Sequence, residues 1–375
     1  MNSSGSFPES TDVFVIGGGP AGLAAAIAAR QRGLSVLVAD GARTPIDKAC
    51  GEGLLPDGVA ALQALGILIP PLEARQFCGI RFLNSQQSAD APFSGSRTGL
   101  AVRRTVLHRA MVARAEQLGA GLMWEAPVSC ISRAGVHVGD RVVRARWIVG
   151  ADGSNSRVRR WVGLQRGPRP RLRYAFRQHF RVAPWTDHME VYWGEHCQGY
   201  ATAVSGEQVC VALAADDPKM RLEAGLRTLP QLAARLKGAE IVSTERGALT
   251  GNRQFSRVWQ ENVALIGDAS GTVDAITGEG IGLSFHQAVA LVRSLESGNL
   301  SQYELEHRKL ALRPACMARL MLLMDRRPAL QRRTIEVFRK HPEIFRRFLE
   351  LHIGELPALH IVKDGLTLGW GLLTT

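Results

Sequence analysis

The sequence predicts an α/β protein in which a helix-flanked parallel sheet is interrupted by β-rich segments. Three observations predict this class. A short apolar run leads into a glycine-rich loop and a helix near residue 20, two later apolar runs end in paired Gly and Asp, and alternating polar and apolar residues fill stretches between these junctions.

The first junction has the pattern of a nucleotide-binding turn. Residues 12–16 are typical of a buried parallel strand, and the sequence that follows has the spacing G-x-G-x-x-G before a helix that extends to Arg32. The predicted diphosphate contacts are Gly17, Gly19, Pro20, Ala21 and Gly22. Gly17 allows the tight turn, Gly19 lets a pyrophosphate approach the backbone, and Gly22 lets helix and strand pack closely. The helix N-terminus favours the negative charge of phosphate.

The second strand of this unit ends in an acid. Residues 34–39 are mainly apolar, and Asp40 follows them. An acid at this position accepts hydrogen bonds from ribose hydroxyls and disfavours a 2′-phosphate. NAD and FAD both remain open on this motif alone.

Two later junctions distinguish between these nucleotides. Residues 147–149 lead into a loop with Asp152 and Gly153, and residues 264–266 lead into Gly267 and Asp268. The loops resemble the Asp-Gly and Gly-Asp motifs of the para-hydroxybenzoate hydroxylase and geranylgeranyl reductase superfamily, which includes the group A flavoprotein monooxygenases. The resemblance implies a discontinuous Rossmann-type, glutathione-reductase-like domain that binds FAD, with Asp268 on the ribityl chain.

The same resemblance implies contacts to the rest of the flavin. It assigns to the cofactor the residues Cys50, Gly51, Arg104, Gly278, Glu279, Gly280 and Ile281. Residues 278–281 would open a helix beneath the pyrimidine edge, where a helix N-terminus stabilises the negative charge of reduced flavin.

The order of the motifs predicts three regions. The FAD-binding domain is predicted to comprise residues 10–75, 99–170 and 249–300. Residues 76–98 and 171–248 are predicted to form a β-rich substrate domain over the flavin, and residues 301–375 a C-terminal helical region. Prolines 314, 328, 342 and 357 are predicted to interrupt the C-terminal helices.

The flavin is expected to carry the chemistry. Within the superfamily that the chain resembles, the sequence favours a monooxygenase, because the reductases' Tyr-x-Trp-x-Phe-Pro signature is not intact after Tyr200. The resemblance implies that such an enzyme uses NAD(P)H and O₂ to hydroxylate an apolar aromatic or polyketide-like small molecule through a flavin C4a-hydroperoxide. The alternative is a flavin-dependent reductase of isoprenoid or enone double bonds, because residues 48–58 and 278–281 look more like that branch. The intact FAD motifs disfavour a binding module without turnover.

Several polar side chains are candidates for catalysis or substrate contact: Cys50, Glu52, Arg177, His179, Tyr192 and Tyr200. Arg177 and His179 share one face of a predicted strand, and a solvated outer face is the favoured environment for them. The two tyrosines suit either an aromatic pocket or the core. No metal site is predicted, because the six cysteines have no zinc-type spacing.

Composition limits the partners and the location. The net charge is +12, but no base-reading or stacking motif accompanies it, so no nucleic-acid partner is predicted. The basic amphipathic stretch 326–352 leaves peripheral contact with an anionic membrane open. Gly17 to Pro20 break the longest uncharged run, so no transmembrane segment is predicted. Scattered cysteines and the lack of a secretory signal predict a cytoplasmic protein.

Overall fold

The computed structural model describes residues 8–165 and 172–356. The helices are α1 (Pro20–Gln31), α2 (Pro56–Ala64), α3 (Arg104–Gln117), α4 (Arg157–Trp161), α5 (Leu222–Leu226), α6 (Pro230–Arg235), α7 (Gly280–Ser297), α8 (Leu300–Asp325), α9 (Pro328–Lys340) and α10 (Pro342–His352).

The described residues also form strands, all of which precede α7 and most of which lie in runs of two to four between helices. They are β1 (Ser10–Ile16), β2 (Val36–Ala39), β3 (Gly53–Leu54), β4 (Ala74–Phe77), β5 (Gly79–Leu83), β6 (Ser88–Pro92), β7 (Gly99–Val102), β8 (Gly121–Met123), β9 (Val128–Ser132), β10 (Gly135–Val138), β11 (Arg141–Gly150), β12 (Arg173–Arg181), β13 (His188–Trp193), β14 (Cys197–Ala203), β15 (Gln208–Ala215), β16 (Glu240–Ile241), β17 (Arg246–Thr250), β18 (Arg253–Gln254), β19 (Trp259–Gln260), β20 (Val263–Leu265) and β21 (Gly271–Thr272).

A mostly parallel sheet forms the first layer. Its order is β19-β20-β11-β1-β2-β8, with β9 and β10 extending β11 as an antiparallel hairpin. The strand ends are in register, because Ile16 pairs with Gly150 and Gly150 pairs with Leu265. Since the carboxyl ends of parallel strands meet at one edge, the loops after β1, β11 and β20 lie side by side.

A second, mainly antiparallel sheet forms another layer. Its order is β16-β12-β15-β14-β13-β5-β6, with β17 also on β12 and with β5 parallel to β13. One face packs on leucines of α5 and α6, and the other packs on α8, α9 and α10. Chain segments from 79–92 and 173–250 meet in this sheet, as the alternating patterns indicated. The predicted fold class is confirmed, and the exact domain boundaries stay a prediction.

Two of the four prolines predicted to interrupt the C-terminal helices stand at helix starts, and one does not interrupt its helix. Pro328 and Pro342 are the first residues of α9 and α10, where a missing N–H costs nothing. Pro314 lies inside α8, which continues through it, so the predicted break there is wrong. Pro314 is buried with Ala315, Met317 and Ala318, and we infer that this packing offsets the lost hydrogen bond. Pro357 lies outside the described residues. Among the helices of the described ranges, none combines the length and apolarity needed to cross a bilayer.

Candidate flavin-binding and catalytic site

The three strand-end loops touch one another at the edge of the parallel sheet. A Cβ at Gly17 would lie 2.4 Å from the Ala151 carbonyl oxygen, and Gly17 has φ +114°. A Cβ at Gly267 would lie 2.7 Å from the Cβ of Ala21, in the first turn of α1. The loop that carries Asp268 therefore rests against the helix whose N-terminus is predicted to bind phosphate.

The glycines of the first loop divide into packed and open positions. A Cβ at Gly22 would lie 1.8 Å from the Gly17 carbonyl oxygen, so this position joins helix and strand. A Cβ at Gly19 would meet nothing within 4 Å, and Gly19 caps α1 without a side-chain hydrogen bond. The open space lies where N–H groups of a helix start point outward, as a bound diphosphate requires.

Other predicted cofactor positions share this openness. A Cβ would also meet nothing within 4 Å at Gly51 and Gly280, and at Gly153 only the Lys48 Nζ, at 3.4 Å. Glycine at positions with open space is expected where a ligand approaches the backbone closely. These positions therefore leave room for an extended dinucleotide such as FAD.

Asp40 holds the first loop in place. Its carboxylate accepts hydrogen bonds from the N–H groups of Gly18 and Ala42, both at 2.7 Å. Each carboxylate oxygen has a second lone pair, so contact with a ribose hydroxyl stays compatible with this arrangement.

Asp152 organises the second loop. One of its oxygens accepts from the backbone N–H groups of Arg157 at 2.6 Å and Val158 at 3.1 Å, at the start of α4. The other oxygen is buried, and no described residue donates to it. Asp152 therefore binds the backbone at the start of α4 with one oxygen, and its other oxygen can still accept a hydrogen bond from a ligand.

Asp268 lies in an open but protein-lined position. Its side chain reaches solvent, while the surrounding protein raises the pKa of the carboxyl by desolvation, against the opposing effects of Lys48 and Arg104. No described residue donates a hydrogen bond to this carboxylate. Exposure together with desolvation fits a group on the wall of a cleft, which is where a ribityl chain would need it.

The loop before α7 turns its acid inward. Gly278 has φ +69°, and Glu279 is buried with an oxygen 3.4 Å from the Arg313 guanidinium and another 3.4 Å from the His352 ring. Burial raises the pKa of Glu279, and Arg313 opposes this. The side chain of Glu279 therefore secures the loop, while Gly280 and the half-buried Ile281 present the start of an 18-residue helix.

The first turns of α3 form hydrogen bonds with the glycine loop 17–19 and with Glu52. The His108 Nε2 lies 2.9 Å from the Gly18 carbonyl oxygen, and burial lowers the pKa of His108, so the neutral ring donates there. The Arg104 N–H donates to Glu52 Oε1 at 2.9 Å. The Arg104 Nε is buried without a partner among the described residues.

The loop 47–52 and strand β12 enclose a polar cluster. The His179 Nε2 lies 2.6 Å from Glu52 Oε2, the His179 Nδ1 lies 2.8 Å from Ser243 Oγ, and the Arg177 Nε lies 3.8 Å from Glu52 Oε1. A second Arg177 nitrogen donates to Asp47. Glu52 has φ +60°, a conformation in which a non-glycine residue is strained. The buried contacts of Glu52 with Arg177 and His179 hold it in this conformation.

The predicted environment of Arg177 and His179 is wrong. Both side chains share one face of β12, as expected, but Arg177 is 1% exposed and His179 is 0% exposed. The reason is that loop 47–52 covers this face and supplies Asp47 and Glu52 to pair with them.

The remaining candidates for catalysis, Cys50, Tyr192 and Tyr200, do not lie together. The backbone N–H of Glu52 lies 3.3 Å from the Cys50 Sγ, and burial raises the pKa of this thiol, so it is neutral. The Tyr200 hydroxyl donates to Gln198 at 3.2 Å, and Tyr200 lies beside Ile276 near Gly278. Tyr192 packs on the opposite face of the sheet, with its hydroxyl 2.5 Å from Glu190. We call residues 47–53 and 267–281, which are predicted to contact the flavin, the flavin-side loops. The structure places Tyr200 beside them and Tyr192 away from them.

Sequence reasoning missed two residues of this region. Lys48 approaches both Gly153 and Asp268, and His108 secures the glycine loop. Residues 104–108 have the pattern Arg-x-x-Leu-His, which resembles the start of a helix that reaches the FAD in this superfamily, so a signal for His108 was present. Nothing local singles out Lys48.

Replacing Glu52 by alanine is expected to lower the free energy of unfolding by about 3–5 kcal/mol, because Arg177 and His179 would lose a buried partner. Glu125→Ala is the matched control, since Glu125 also has positive φ, +55°, but its side chain is 65% exposed and 3.7 Å from Arg43. The control should change stability by less than about 0.5 kcal/mol. Urea unfolding measures both, and equal small effects would contradict the role given to Glu52.

Two buried histidines predict acid sensitivity. Burial lowers the pKa of His307 and of His352 to about 4, while each would titrate near 6.5 when unfolded. Their contribution to stability is present above pH 6.5 and is lost as pH falls toward 4, since the unfolded chain binds the protons. Urea unfolding should show a loss of up to about 4 kcal/mol between pH 7.5 and 5. The double variant His307→Gln/His352→Gln should flatten this profile, and the exposed control His196→Gln should leave it unchanged; a profile that the double variant leaves equally steep would refute the assignment.

This fold and these loops define an FAD-dependent oxidoreductase. A family model described as an FAD binding domain matches residues 10–298. The chain belongs to this FAD-binding family, and the superfamily resemblance drawn from its motifs is confirmed.

Curated relatives span both chemical branches. The chain is similar to the menaquinone reductase of Mycolicibacterium smegmatis, at 32% identity over 78% of each chain. It is also similar to the digeranylgeranylglycerophospholipid reductase of Methanococcus vannielii, at 24% identity over 79% of this chain and 82% of that one. A third relative is a putative 2-heptyl-3-hydroxy-4(1H)-quinolone synthase of Rhodococcus erythropolis, at 29% identity over 75% and 78%.

Solved structures agree on the fold. A flavoprotein/dehydrogenase from Cytophaga hutchinsonii superposes with a TM-score of 0.80 at 20% identity and covers 92% of this chain and 93% of that one. This likeness concerns the architecture alone.

Proposed function

We propose that the protein is an FAD-dependent, NAD(P)H-consuming reductase that saturates a carbon–carbon double bond of an apolar, isoprenoid-type molecule. The observation that carries this choice is the similarity to reductases over more than three quarters of the chain, at up to 32% identity. The Gly-Glu-Gly-Ile sequence at 278–281 supports the same branch. We therefore prefer the reductase to the hydroxylating monooxygenase that the sequence favoured because the reductase signature is altered after Tyr200.

The reaction needs a hydride and a proton on the two carbons of the double bond, while NAD(P)H is oxidised to NAD(P)⁺. When bound, FAD supplies the hydride transfer. The backbone at Gly19 and the start of α1 would hold its diphosphate, Asp268 its ribityl chain, and the start of α7 its pyrimidine edge. The remaining task of the chain is to position the substrate, exclude water and deliver the proton.

The buried cluster at residue 52 is suited to deliver a proton. Cys50 keeps its proton because burial raises the pKa of the thiol. Glu52, His179 and Ser243 form a hydrogen-bonded series with separations of 2.6 and 2.8 Å, which leads from the flavin-side loop toward a half-buried serine. We infer that this series replaces the proton used at each turnover, with Arg177 orienting Glu52.

The surroundings of the site suit an apolar substrate. Met189 lies between the two flavin-side loops, because a Cβ at Gly53 would be 2.9 Å from its sulfur and a Cβ at Gly278 would be 3.9 Å from its methyl group. A cavity of about 280 Å³ lies against the C-terminal half of α8, and its lining combines arginines with leucines: Arg173, Asn252, Asp274, Arg319, Leu322, Leu323 and Arg326. Such a lining suits a molecule with an apolar body and a polar end.

The second candidate function is a NAD(P)H- and O₂-dependent monooxygenase that hydroxylates an apolar aromatic or polyketide-like molecule. The similarity to the quinolone synthase favours it specifically, at 29% identity. The same residues would bind FAD, and the same polar cluster would supply protons.

One experiment separates the two functions. The FAD-loaded protein is mixed with NAD(P)H under argon and under labelled O₂, with menaquinone and prenyl alcohols in one panel and alkylquinolones and phenols in the other. A reductase yields a product with two added hydrogen atoms under argon. A product with one labelled oxygen atom, formed only with O₂, would replace the reductase by the monooxygenase.

A further inference from the structure

A second cluster of ligand-type side chains lies apart from the flavin-side loops. Cys78 precedes β5, Asp187 precedes β13, and His188 is the first residue of β13. The two strands are parallel neighbours, with Gly79 paired to His188, and the Cys78 N–H donates to the Asp187 carbonyl oxygen at 2.8 Å. The backbone therefore fixes the three side chains together, although 109 residues separate Cys78 from Asp187 in the sequence.

The ligand atoms have separations close to those of a metal site. The thiol sulfur, a ring nitrogen and a carboxylate oxygen all lie within 4.8 Å of one another. The Cys78 Sγ is 3.7 Å from His188 Nδ1 and 3.8 Å from Nε2. A thiolate and an imidazole on one tetrahedral zinc ion are separated by about 3.5 Å, as follows from bonds of about 2.3 and 2.0 Å. The sulfur–nitrogen distances are thus close to those of a zinc site, and rotation of the His188 ring would point one nitrogen at the ion.

The carboxylate can complete the set with a small movement. The Asp187 Oδ1 is 2.8 Å from His188 Nδ1, and the Asp187 side chain is 66% exposed. Because the Asp187 side chain is exposed, it can rotate toward a shared ion without disturbing the packing. Water can then occupy the fourth position of the tetrahedron.

The charges near this cluster allow a cation. The nearest base is Arg81, and it is already paired with Asp90 at 2.7 and 2.8 Å and with Glu190 at 3.3 Å. The other ligand-type cluster, Glu52 with His179 and Cys210, differs because Arg177 lies against Glu52 and already supplies the positive charge. Of these two clusters of described residues, the one with Cys78 is therefore the one that favours a divalent ion.

We propose that Cys78, Asp187 and His188 bind one zinc ion, with water as the fourth ligand. A thiolate and an imidazole select zinc over magnesium and calcium, which prefer oxygen ligands. The ion would join β5 to β13. Cys78 directly follows β4, a strand of the three-stranded sheet β3-β7-β4, and the last residue of β4, Phe77, lies close to Gly53 on β3. Its expected role is to fix the junction between the two sheets.

Zinc binding to the flavin-loaded protein tests the proposal. The protein is stripped with a chelator, titrated with Zn²⁺ against a chromophoric competitor, and analysed for metal by mass spectrometry. We expect one zinc ion per chain and an increase in the thermal midpoint on addition of zinc. Cys78→Ser and His188→Gln should weaken binding by about a hundredfold or more and remove the thermal shift.

Cysteine 130 provides the matched control. It is also a half-buried free thiol on a β-strand, so Cys130→Ser should bind zinc like the wild type. Flavin content of each variant reports folding independently of zinc. The absence of stoichiometric zinc binding by the wild-type protein, or equal binding by Cys78→Ser and the wild type, would overturn the proposal.

Discussion

Gly19→Ala is expected to weaken FAD binding by roughly tenfold to a hundredfold while the apoprotein folds as well as the wild type. The backbone at Gly19 has φ −72° and ψ 178°, which alanine adopts freely, and its Cβ would meet no atom within 4 Å. In the FAD complex the methyl group would occupy space needed by the diphosphate, at a cost of about 1–3 kcal/mol. Flavin fluorescence titration of the apoprotein measures the change.

Gly22→Ala is the control that separates binding from folding. Its Cβ would lie 1.8 Å from the backbone oxygen of Gly17, so β1 and α1 would have to move apart. We expect a loss of more than about 3 kcal/mol in stability, seen as a lower thermal midpoint even without FAD. Tight FAD binding by Gly19→Ala, or a fully stable Gly22→Ala, would contradict the arrangement of the first loop.

Asp268→Ala is expected to weaken FAD binding by about 10- to 100-fold, because a hydrogen bond to a charged group contributes about 1.5–3 kcal/mol. The apoprotein should be no less stable than the wild type at pH 7. Desolvation raises the pKa of this carboxyl in the fold, so its charged form lowers stability above its pKa, and removing it relieves that cost.

Asp268→Asn is the matched variant, because it keeps an acceptor oxygen of similar size without the charge. It should bind FAD with an affinity between those of the wild type and Asp268→Ala, as measured by the same fluorescence titration. Unchanged FAD affinity in Asp268→Ala would remove the ribityl role from this residue.

The cofactor loops were predictable from sequence because their signals are local. The strand, turn and helix around Gly17 and Gly22 follow from periodicity and spacing. Asp268 was found because its motif resembles one of known flavoproteins. The close approach of Gly267 to Ala21 then shows how the third junction is placed, since it sets the loop that carries Asp268 against the first turn of α1.

The polar cluster was not predictable, because it depends on pairs distant in sequence. His179 was expected at a solvated face, yet Glu52, 127 residues earlier, covers it. Alternation along β12 gives the shared face of Arg177 and His179 but not which layer covers that face. Cys78 and His188 meet across a parallel strand pair for the same reason, and no spacing rule detects such a site.

Flavin stoichiometry tests the central claim most directly. The purified chain is denatured, the released chromophore is identified by chromatography, and its absorbance is compared with the protein concentration. We predict one FAD per chain, bound without a covalent link, and uptake of FAD by the stripped protein. A chain that contains no FAD and takes up none after reconstitution would contradict the account.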